Sequence, residues 1–315
     1  MTRPKCLLKS LVLLIALSLV PTDCFAQAID LTGDAGKLLS LPKLSAGKPC
    51  AGHFVKVTPP EYRGTDVHHA VYLPDRWTAD GPQLPIIFEY TGNLFPQSGS
   101  TGLVQDAALG YSASAGNFIW VPLPMINADK SGNEVTWWGD QRATVDYAKT
   151  YVPRIIKRYN ADPNMVFLSG FSRGAIGVNF IGLHDDEIAS LWTAFIAHDH
   201  FDGVRAWKAP WGAPLAKYQA AAKRRLARVA GRPYWVSQNG NVANTEAFIR
   251  GCTASCKNFR FVPIPTREIL GEFPNRIALT SHTDRWPLVP SRQRDQLRQW
   301  MQEVVDQATE SETPR

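Results

Sequence analysis

Residues 165–181 have the sequence MVFLSGFSRGAIGVNFI. Its first five residues form a short apolar run that predicts a buried strand, and its last seven predict the start of a helix rich in small side chains. Between them, residues 170–174 form a G-x-S-x-G motif. A strand, this motif and a helix in succession are typical of a nucleophile elbow, a tight turn that presents Ser172 to a pocket. An ordinary strand-to-helix loop is the alternative, because glycine and serine are common in turns.

The N-terminus has the features of an export signal. Three basic residues precede a ten-residue apolar core, 11–20, which is too short to cross a bilayer. A small-x-small site, CFA, follows at residues 24–26. We therefore predict a signal peptide over residues 1–26, cleaved near Ala26, and a secreted or periplasmic protein. Lipidation at Cys24 is the weaker alternative, because the residues before it lack the usual small, apolar character.

Composition limits the classes of partner. Without the signal peptide, 289 of the 315 residues remain, and the formal net charge falls from +6 to +4. The charges are scattered, and the one basic cluster, residues 223–228, contains alanine and predicts the solvated face of a helix. We expect no nucleic-acid partner. No later segment is apolar enough to predict a membrane partner, and the oligomeric state stays open.

Three cysteines follow the signal peptide: Cys50, Cys252 and Cys256. In an oxidising compartment, two of them are expected to form a disulfide. Cys252 and Cys256 form the most local pair, and Cys50 with either one is the alternative. No histidine pair near them has the spacing of metal ligands, so we expect no metal site there.

Strand-like and helix-like segments alternate along most of the chain, which predicts an α/β fold in a single domain. The central sheet is predicted to be mostly parallel, with helices on both faces. The predicted domain spans residues 52–306, between an N-terminal extension (27–51) and a polar tail (307–315). The predicted strands cover residues 67–73, 84–90, 117–122, 165–169, 191–197, 232–237 and 259–263. The clearest predicted helices begin after Asp140, with a kink at Pro153, and at Ser291.

The sequence of residues 151–174, YVPRIIKRYNADPNMVFLSGFSRG, resembles that of α/β-hydrolases. More narrowly, it is similar to secreted polyhydroxyalkanoate depolymerases and to feruloyl or acetylxylan esterases. In that group a helix and a Tyr-Asn-Ala-Asp-Pro turn lead into the elbow strand. The resemblance is sharpest over residues 140–175 and loose elsewhere between 67 and 300. It implies a serine hydrolase that cleaves small-molecule or polymeric carboxylic esters without a cofactor.

The resemblance also implies a catalytic histidine late in the chain, after the nucleophile and the acid. His282 is the only histidine after His200, and it precedes the terminal helix, as in the family. A surface or capping histidine is the alternative role for His282. The acid usually follows the strand that is predicted here at 232–237, but the first carboxylate after that strand is Glu246. We therefore favour Asp199, at the end of the preceding strand, and keep Glu246 as the alternative.

Asp199 has two other interpretations. It lies in the sequence His198-Asp199-His200, so it could be a solvated loop residue or be paired with either histidine. Together with Asp202 the same residues could hold a metal ion. Adjacent residues rarely share one ion, and we therefore rank the metal last.

An oxyanion hole needs two backbone donors beside the nucleophile. We predict the N–H of Arg173, at the start of the following helix, as the first donor. Thr91-Gly92-Asn93 follows the predicted strand 84–90 and occupies the place of the family's His-Gly-x. We predict the N–H of Asn93, next to Gly92, as the second donor. For Gly92, ordinary turn chemistry is the alternative.

Paired tryptophans raise a question of substrate binding. Trp137 and Trp138 could form the floor of a cleft for a sugar or aromatic ring, or they could belong to the core. Trp207 and Trp211, where the family builds its lid, carry the same two alternatives.

The sequence leaves two rival functions open. One is amide or peptide cleavage at the same site. The other is a non-catalytic binding protein, which the asparagine-rich loop at 238–244 favours.

Overall fold

The computed structural model describes residues 29–33, 36–207, 212–271 and 281–312. The predicted signal peptide with its cleavage site, and Trp211, lie outside the described residues. Among the described helices, none is both long enough and apolar enough to cross a membrane.

Nine of the described strands form one sheet. The strands are β1 (Leu44–Ser45), β2 (Phe54–Val57), β3 (His69–Tyr72), β4 (Leu84–Tyr90), β5 (Leu94–Phe95), β6 (Ser100–Thr101), β7 (Ile119–Leu123), β8 (Ala161–Phe171), β9 (Ala194–His198), β10 (Tyr234–Asn239) and β11 (Phe259–Ile264). The order in the sheet is β1-β2-β3-β7-β4-β8-β9-β10-β11, and β5 pairs only with β6. Every neighbouring pair from β7 to β11 is parallel, whereas β3 is antiparallel to both β2 and β7. The prediction of a mostly parallel sheet is confirmed.

The helices lie between these strands along the chain. They are α1 (Leu109–Ala113), α2 (Gln141–Arg158), α3 (Arg173–Phe180), α4 (Asp186–Ala189), α5 (Leu215–Ala227), α6 (Ala243–Cys252), α7 (Thr266–Gly271) and α8 (Arg292–Glu312). The side chain of Asp140 accepts a hydrogen bond from the N–H of Ala143, so Asp140 caps α2 as predicted. Pro153 lies inside α2, which remains one helix on both sides of it.

The core has two layers, one on each face of the sheet. All seven residues of β4 are buried. Because side chains alternate along a strand, Ile86 and Phe88 pack into one layer and Ile87 packs into the other. The first layer includes residues of α2 and α3, and the second includes residues of α1 and α8. Helices therefore cover both faces of the sheet, as predicted.

The two ends of the described chain are more structured than the sequence indicated. Within the predicted extension, β1 pairs in parallel with β2 at the edge of the sheet. Leu31 is fully buried, and its N–H donates to the side chain of Gln302 on α8 (3.0 Å). At the other end, α8 continues to Glu312, into the predicted polar tail.

The three cysteines after the predicted signal peptide are free thiols, so the predicted disulfide is not present in the structure. Cys252 is the last residue of α6, and the backbone of Thr253 is extended. Cys256 Sγ instead lies 3.1 Å from the hydroxyl of Thr253. Cys50 is exposed.

Candidate active site

The G-x-S-x-G motif forms a sharp turn between β8 and α3. Ser172 has φ 55° and ψ −119°, a conformation that non-glycine residues rarely adopt and that costs about 1–3 kcal/mol. A Cβ atom on Gly170 would collide with the backbone of Gly174. A Cβ atom on Gly174 would collide with the carbonyl of Tyr90 on β4. Both glycines are therefore required by close backbone contacts, as the sequence predicted.

Three predicted site residues form a hydrogen-bonded row at this turn. Ser172 Oγ lies 2.9 Å from His282 Nε2. On the other side of the ring, His282 Nδ1 is hydrogen-bonded to Asp199 Oδ2. Since an ionised carboxylate only accepts, the Nδ1 proton of His282 is donated to Asp199, which leaves Nε2 to accept the Ser172 proton. This is the tautomer that a base acting on Ser172 requires.

The backbone around Asp199 fixes its carboxylate. Asp199 directly follows β9, has φ 68°, and donates its N–H to the carbonyl of Ser237 (2.9 Å). Its Oδ1 accepts from the N–H of Asn239, at the end of β10 (3.0 Å). Burial raises the pKa of Asp199, but the hydrogen bond with His282 and the neighbouring charges outweigh it and hold the pKa below its usual value. Asp199 is therefore ionised at neutral pH.

Glu246, the alternative acid, does not reach the row. It lies in the first turn of α6, where Oε1 accepts two hydrogen bonds from Arg250 (2.9 and 2.6 Å), one turn later on the helix. The asparagine-rich segment contributes a backbone N–H, that of Asn239, rather than a carboxylate. The structure thus brings Asp199 to His282 and leaves Glu246 in a surface ion pair.

Of the two predicted oxyanion donors, Arg173 is part of the elbow and Asn93 lines the same cleft as Ser172. Arg173 is the first residue of α3, so no carbonyl of its own helix can accept from its N–H. The side-chain Oδ1 of Asn93 accepts from the N–H of Trp137 (2.6 Å), and its carbonyl accepts from the Ser100 hydroxyl (2.7 Å). A Cβ atom on Gly92 would lie 2.8 Å from a ring carbon of the residue before Ser172, so this glycine allows the loop to approach the elbow.

The row opens into a cleft with a cavity of about 350 Å³. It is lined by Asn93, Leu94, Phe95, Trp137, Ser172, His200, Arg205, Trp207 and His282. Trp137 and Trp207 thus lie where a substrate ring could pack. Trp138 does not, because it is fully buried and stacks on Phe180, with ring centroids 4.5 Å apart. The prediction that Trp138 contributes to the cleft is wrong, since its ring belongs to the core.

Comparison with known proteins identifies the fold. No protein-family model matches the chain, and no curated protein is similar to it in sequence. The solved structure of the esterase Est22 superposes with a TM-score of 0.50 at 12% sequence identity, over 80% of each chain. The chain has the α/β-hydrolase fold. A mutant of the feruloyl esterase module from Clostridium thermocellum, complexed with sinapinate, gives a TM-score of 0.46 at 15% identity, over 81% of this chain and 96% of that one. The isopeptidase AtxE2 gives 0.47 at 12% identity, over 82% of this chain and 42% of that one.

In this α/β-hydrolase fold, the Arg173 side chain has a role that the sequence analysis did not predict. Its guanidinium is buried and donates to the backbone carbonyls of Thr91 (3.3 Å), Gly102 (3.2 Å), Glu134 (2.9 Å) and Trp137 (2.5 Å). Burial lowers the pKa of Arg173 to about 9, so it remains a cation at neutral pH. It joins the loop formed by Thr91, Gly92 and Asn93 to the segment that carries Trp137. The sequence feature that could have predicted this role is a single arginine at the start of a helix whose other residues there are small or apolar.

His198 links two of the segments that position the row of Ser172, His282 and Asp199. It is fully buried, and burial lowers its pKa to about 4, so the ring is neutral at neutral pH. His198 Nδ1 lies 3.0 Å from the Ser237 hydroxyl, and Nε2 lies 3.0 Å from the carbonyl of Thr283. Because a carbonyl only accepts, Nε2 carries the proton. His198 therefore ties β9 to the loop that carries His282.

Two buried carboxyl groups, one of them in that loop, bind the start of α1. Asp284 Oδ2 accepts from the N–H of Ala108, just before α1 (3.0 Å). Glu89, on β4, accepts from the N–H groups of Leu109 (3.1 Å) and Gly110 (2.8 Å). Burial, reinforced by the nearby Asp284 carboxyl, raises the pKa of Glu89 above its usual value. Asp284 thus fixes the loop two residues after His282 against the start of α1.

The structure does not support a metal site at His198, Asp199, His200 and Asp202. Within the part of the chain that the structure describes, no three His, Cys, Asp or Glu side chains lie close enough together to hold a metal ion. Asp202 is fully buried and forms an ion pair with Arg225, whose Nε lies 2.7 Å from Oδ2.

Proposed function

We propose that this chain is a serine hydrolase that cleaves carboxylic esters through an acyl-enzyme on Ser172. The observation that carries the proposal is the hydrogen-bonded row of Ser172, His282 and Asp199 at the base of an open cleft. In this row Ser172 is the nucleophile, His282 is a base in the tautomer that accepts the Ser172 proton, and Asp199 is the ionised acid that binds His282.

In the first half of the reaction, His282 Nε2 takes the hydroxyl proton of Ser172 as Oγ attacks the ester carbonyl carbon. Asp199 stays ionised and stabilises the imidazolium that forms. The tetrahedral intermediate then collapses, and the bond to the alcohol oxygen breaks. His282 gives its proton to that oxygen, so the alcohol leaves neutral and the acyl group remains on Ser172.

In the second half, water replaces the alcohol. His282 takes a proton from the water as its oxygen attacks the acyl-enzyme carbonyl, and a second tetrahedral intermediate forms. Its collapse breaks the bond to Ser172 Oγ, which regains the proton from His282. The carboxylic acid product leaves, and the starting state is restored.

Both tetrahedral intermediates carry an oxyanion that needs fixed donors. We assign the N–H groups of Arg173 and Asn93 to this role, with Gly92 allowing the loop to approach. Each such donor typically contributes about 3 kcal/mol to transition-state binding. The buried Arg173 guanidinium supports both donors, because it is attached to one of them and bonds the carbonyl of Thr91, two residues before the other.

The rival functions differ in their support. The asparagine-rich loop at 238–244 favours the binding-protein hypothesis, whereas the hydrogen bond between Asp199 and His282 supports an enzyme. Amide or peptide cleavage uses the same residues and is separated from esterase activity by experiment. Export to the periplasm or the medium is part of the proposal and is supported by the N-terminal sequence pattern.

The test compares wild type with Ser172→Ala on p-nitrophenyl acetate and butyrate, alongside the matched p-nitroanilides. We expect ester turnover by the wild type, a loss of at least about 1,000-fold in the variant, and little anilide cleavage. A fluorophosphonate probe should label the wild type and Ser255→Ala, which alters an exposed serine, but not Ser172→Ala. Absence of both turnover and labelling in folded wild type would refute the proposal.

A further inference from the structure

One wall of the cleft carries an arginine that the ester cleavage described above does not use. The guanidinium of Arg205 lies over the ring of Trp207, 4.1 Å from its centroid. One of its N–H groups lies 3.3 Å from His200 Nε2. All three side chains line the cavity that contains Ser172. Arg205 is thus held beside the nucleophile by an aromatic face and an imidazole.

His200 is suited to hold Arg205 because it is a neutral acceptor. Burial, followed by the positive charge of Arg205, lowers the pKa of His200 to about 3. Its Nε2 lone pair therefore accepts from the guanidinium at neutral pH. The ring of His200 also packs 5.0 Å from that of Trp207 and 5.3 Å from that of His282, between centroids.

The positive charge of Arg205 is not neutralised by a carboxylate in ion-pair contact within the described residues. The nearby Asp199 carboxylate is already bound by His282 and by the N–H of Asn239. A guanidinium has five N–H donors in a planar fork that matches a carboxylate, and the bond to His200 uses one of them. Arg205 is an exposed residue, and it lines the cleft that contains Ser172.

We propose that Arg205 binds an anionic group of the substrate, so that the preferred substrates are esters that also carry a carboxylate. This inference rests on the proposed esterase function. The rest of the cleft is lined by Leu94, Phe95, Trp137 and Trp207, which suit an apolar chain or ring between the ester and the carboxylate. Arg205 is therefore a residue that determines specificity rather than one that takes part in bond cleavage.

The experiment uses two pairs of esters that differ by one charge. Mono-p-nitrophenyl adipate and mono-p-nitrophenyl suberate are each compared with the corresponding methyl diester, and the Ser172→Ala rate is subtracted as a blank. For at least one pair, we expect kcat/KM to be about two- to fivefold higher for the anionic ester, which is the effect that a partly exposed guanidinium–carboxylate pair supports. In Arg205→Gln the ratio should fall to about one. Arg205→Lys should keep part of it, since it retains the charge and loses the fork.

Arg224→Gln is the matched control, because it removes the same charge from an exposed position on α5. The anionic-to-neutral ratio should be unchanged in this variant. Equal kcat/KM values for both members of both pairs in the wild type, or a preference that persists in Arg205→Gln, would overturn the inference while leaving the esterase proposal intact. If the wild type hydrolyses neither ester and takes up no fluorophosphonate, both proposals fail.

Discussion

Asp199 supplies the carboxylate that contacts His282, although it does not lie at the position in the sequence where the acid is usually found. The expected position of the acid, after β10, is occupied by asparagines. Because β9 and β10 are parallel neighbours in register, with Ser237 opposite His198, the ends of both strands lie at the same edge of the sheet. An acid on either strand can therefore face His282. Here β9 supplies the carboxylate, and β10 supplies the N–H of Asn239 that holds it.

At this scale we predict that Asp199→Asn lowers kcat by about 1,000- to 10,000-fold on a p-nitrophenyl ester with little change in KM. The amide cannot stabilise the imidazolium, and it can hold His282 in the wrong tautomer. Steady-state kinetics at pH 7 measures the effect. Glu246→Gln is the matched control and should retain wild-type kcat, because Glu246 pairs only with Arg250 among the contacts described. Near-normal activity in Asp199→Asn would show that another group orients His282.

For the adjacent residues Trp137 and Trp138, the sequence alone could not predict which ring faces the cleft and which faces the core. Trp137 lines the cleft and Trp138 is buried in the core, although both are aromatic and occupy the same loop. A loop has no repeating geometry from which the sequence could assign opposite directions to neighbours. The backbone turns at Trp137, where it is left-handed (φ 52°). The N–H of Trp137 is bonded to the side chain of Asn93, which is distant in the sequence.

At the scale of elements, the elbow was predictable because a strand, a tight turn and a helix are adjacent in the sequence. The strand predicted at 84–90 matches β4, and the cap of α2 was placed at Asp140. The two-residue strands β1, β5 and β6 were not predicted, since two residues carry no periodicity. The Arg173 side chain also escaped prediction, because its acceptors come from segments far apart in the sequence.

We predict that Arg173→Met damages both stability and catalysis. Removing the guanidinium leaves buried carbonyls unpaired and should lower the free energy of unfolding by about 1–3 kcal/mol. Releasing the Thr91-Gly92-Asn93 loop should also displace one oxyanion donor and reduce kcat about 100-fold. Urea unfolding and ester kinetics measure the two effects. Arg142→Met, at an exposed position on α2, is the control. A loss of stability with unchanged kcat would limit Arg173 to a purely structural role.

At the scale of the whole molecule, buried histidines connect folding to pH, and His69 and His198 are two of them. Burial lowers the pKa of His69 to about 3 and that of His198 to about 4, compared with about 6.5 in an unfolded chain. Between those values the unfolded state binds protons that the folded state does not. The stability that these histidines contribute is therefore present above pH 6.5 and is lost as the pH falls towards 4. The raised pKa of Glu89 acts in the opposite direction, so variants are needed to isolate the histidines.

We expect His198→Gln to lose less unfolding free energy than wild type when the pH is lowered from 7 to 4.5. Glutamine cannot take up a proton, so this part of the linkage disappears. Urea unfolding at pH 4.5, 5.5 and 7 gives the three values for each protein. His53→Gln, which changes an exposed histidine, should follow the wild-type dependence. Parallel curves for wild type and His198→Gln would contradict the prediction.

The buried guanidinium of Arg173 has a consequence for attempts to redesign this protein. The segments that carry Thr91, Gly102 and Trp137 share one cation, so a graft that replaces any one of them also alters the anchorage of the others. Exchanging a single loop to widen the cleft should therefore give inactive chimaeras. Exchanging all three together with the arginine should preserve activity. In a directed-evolution experiment, beneficial substitutions in these segments are expected to arise in combination.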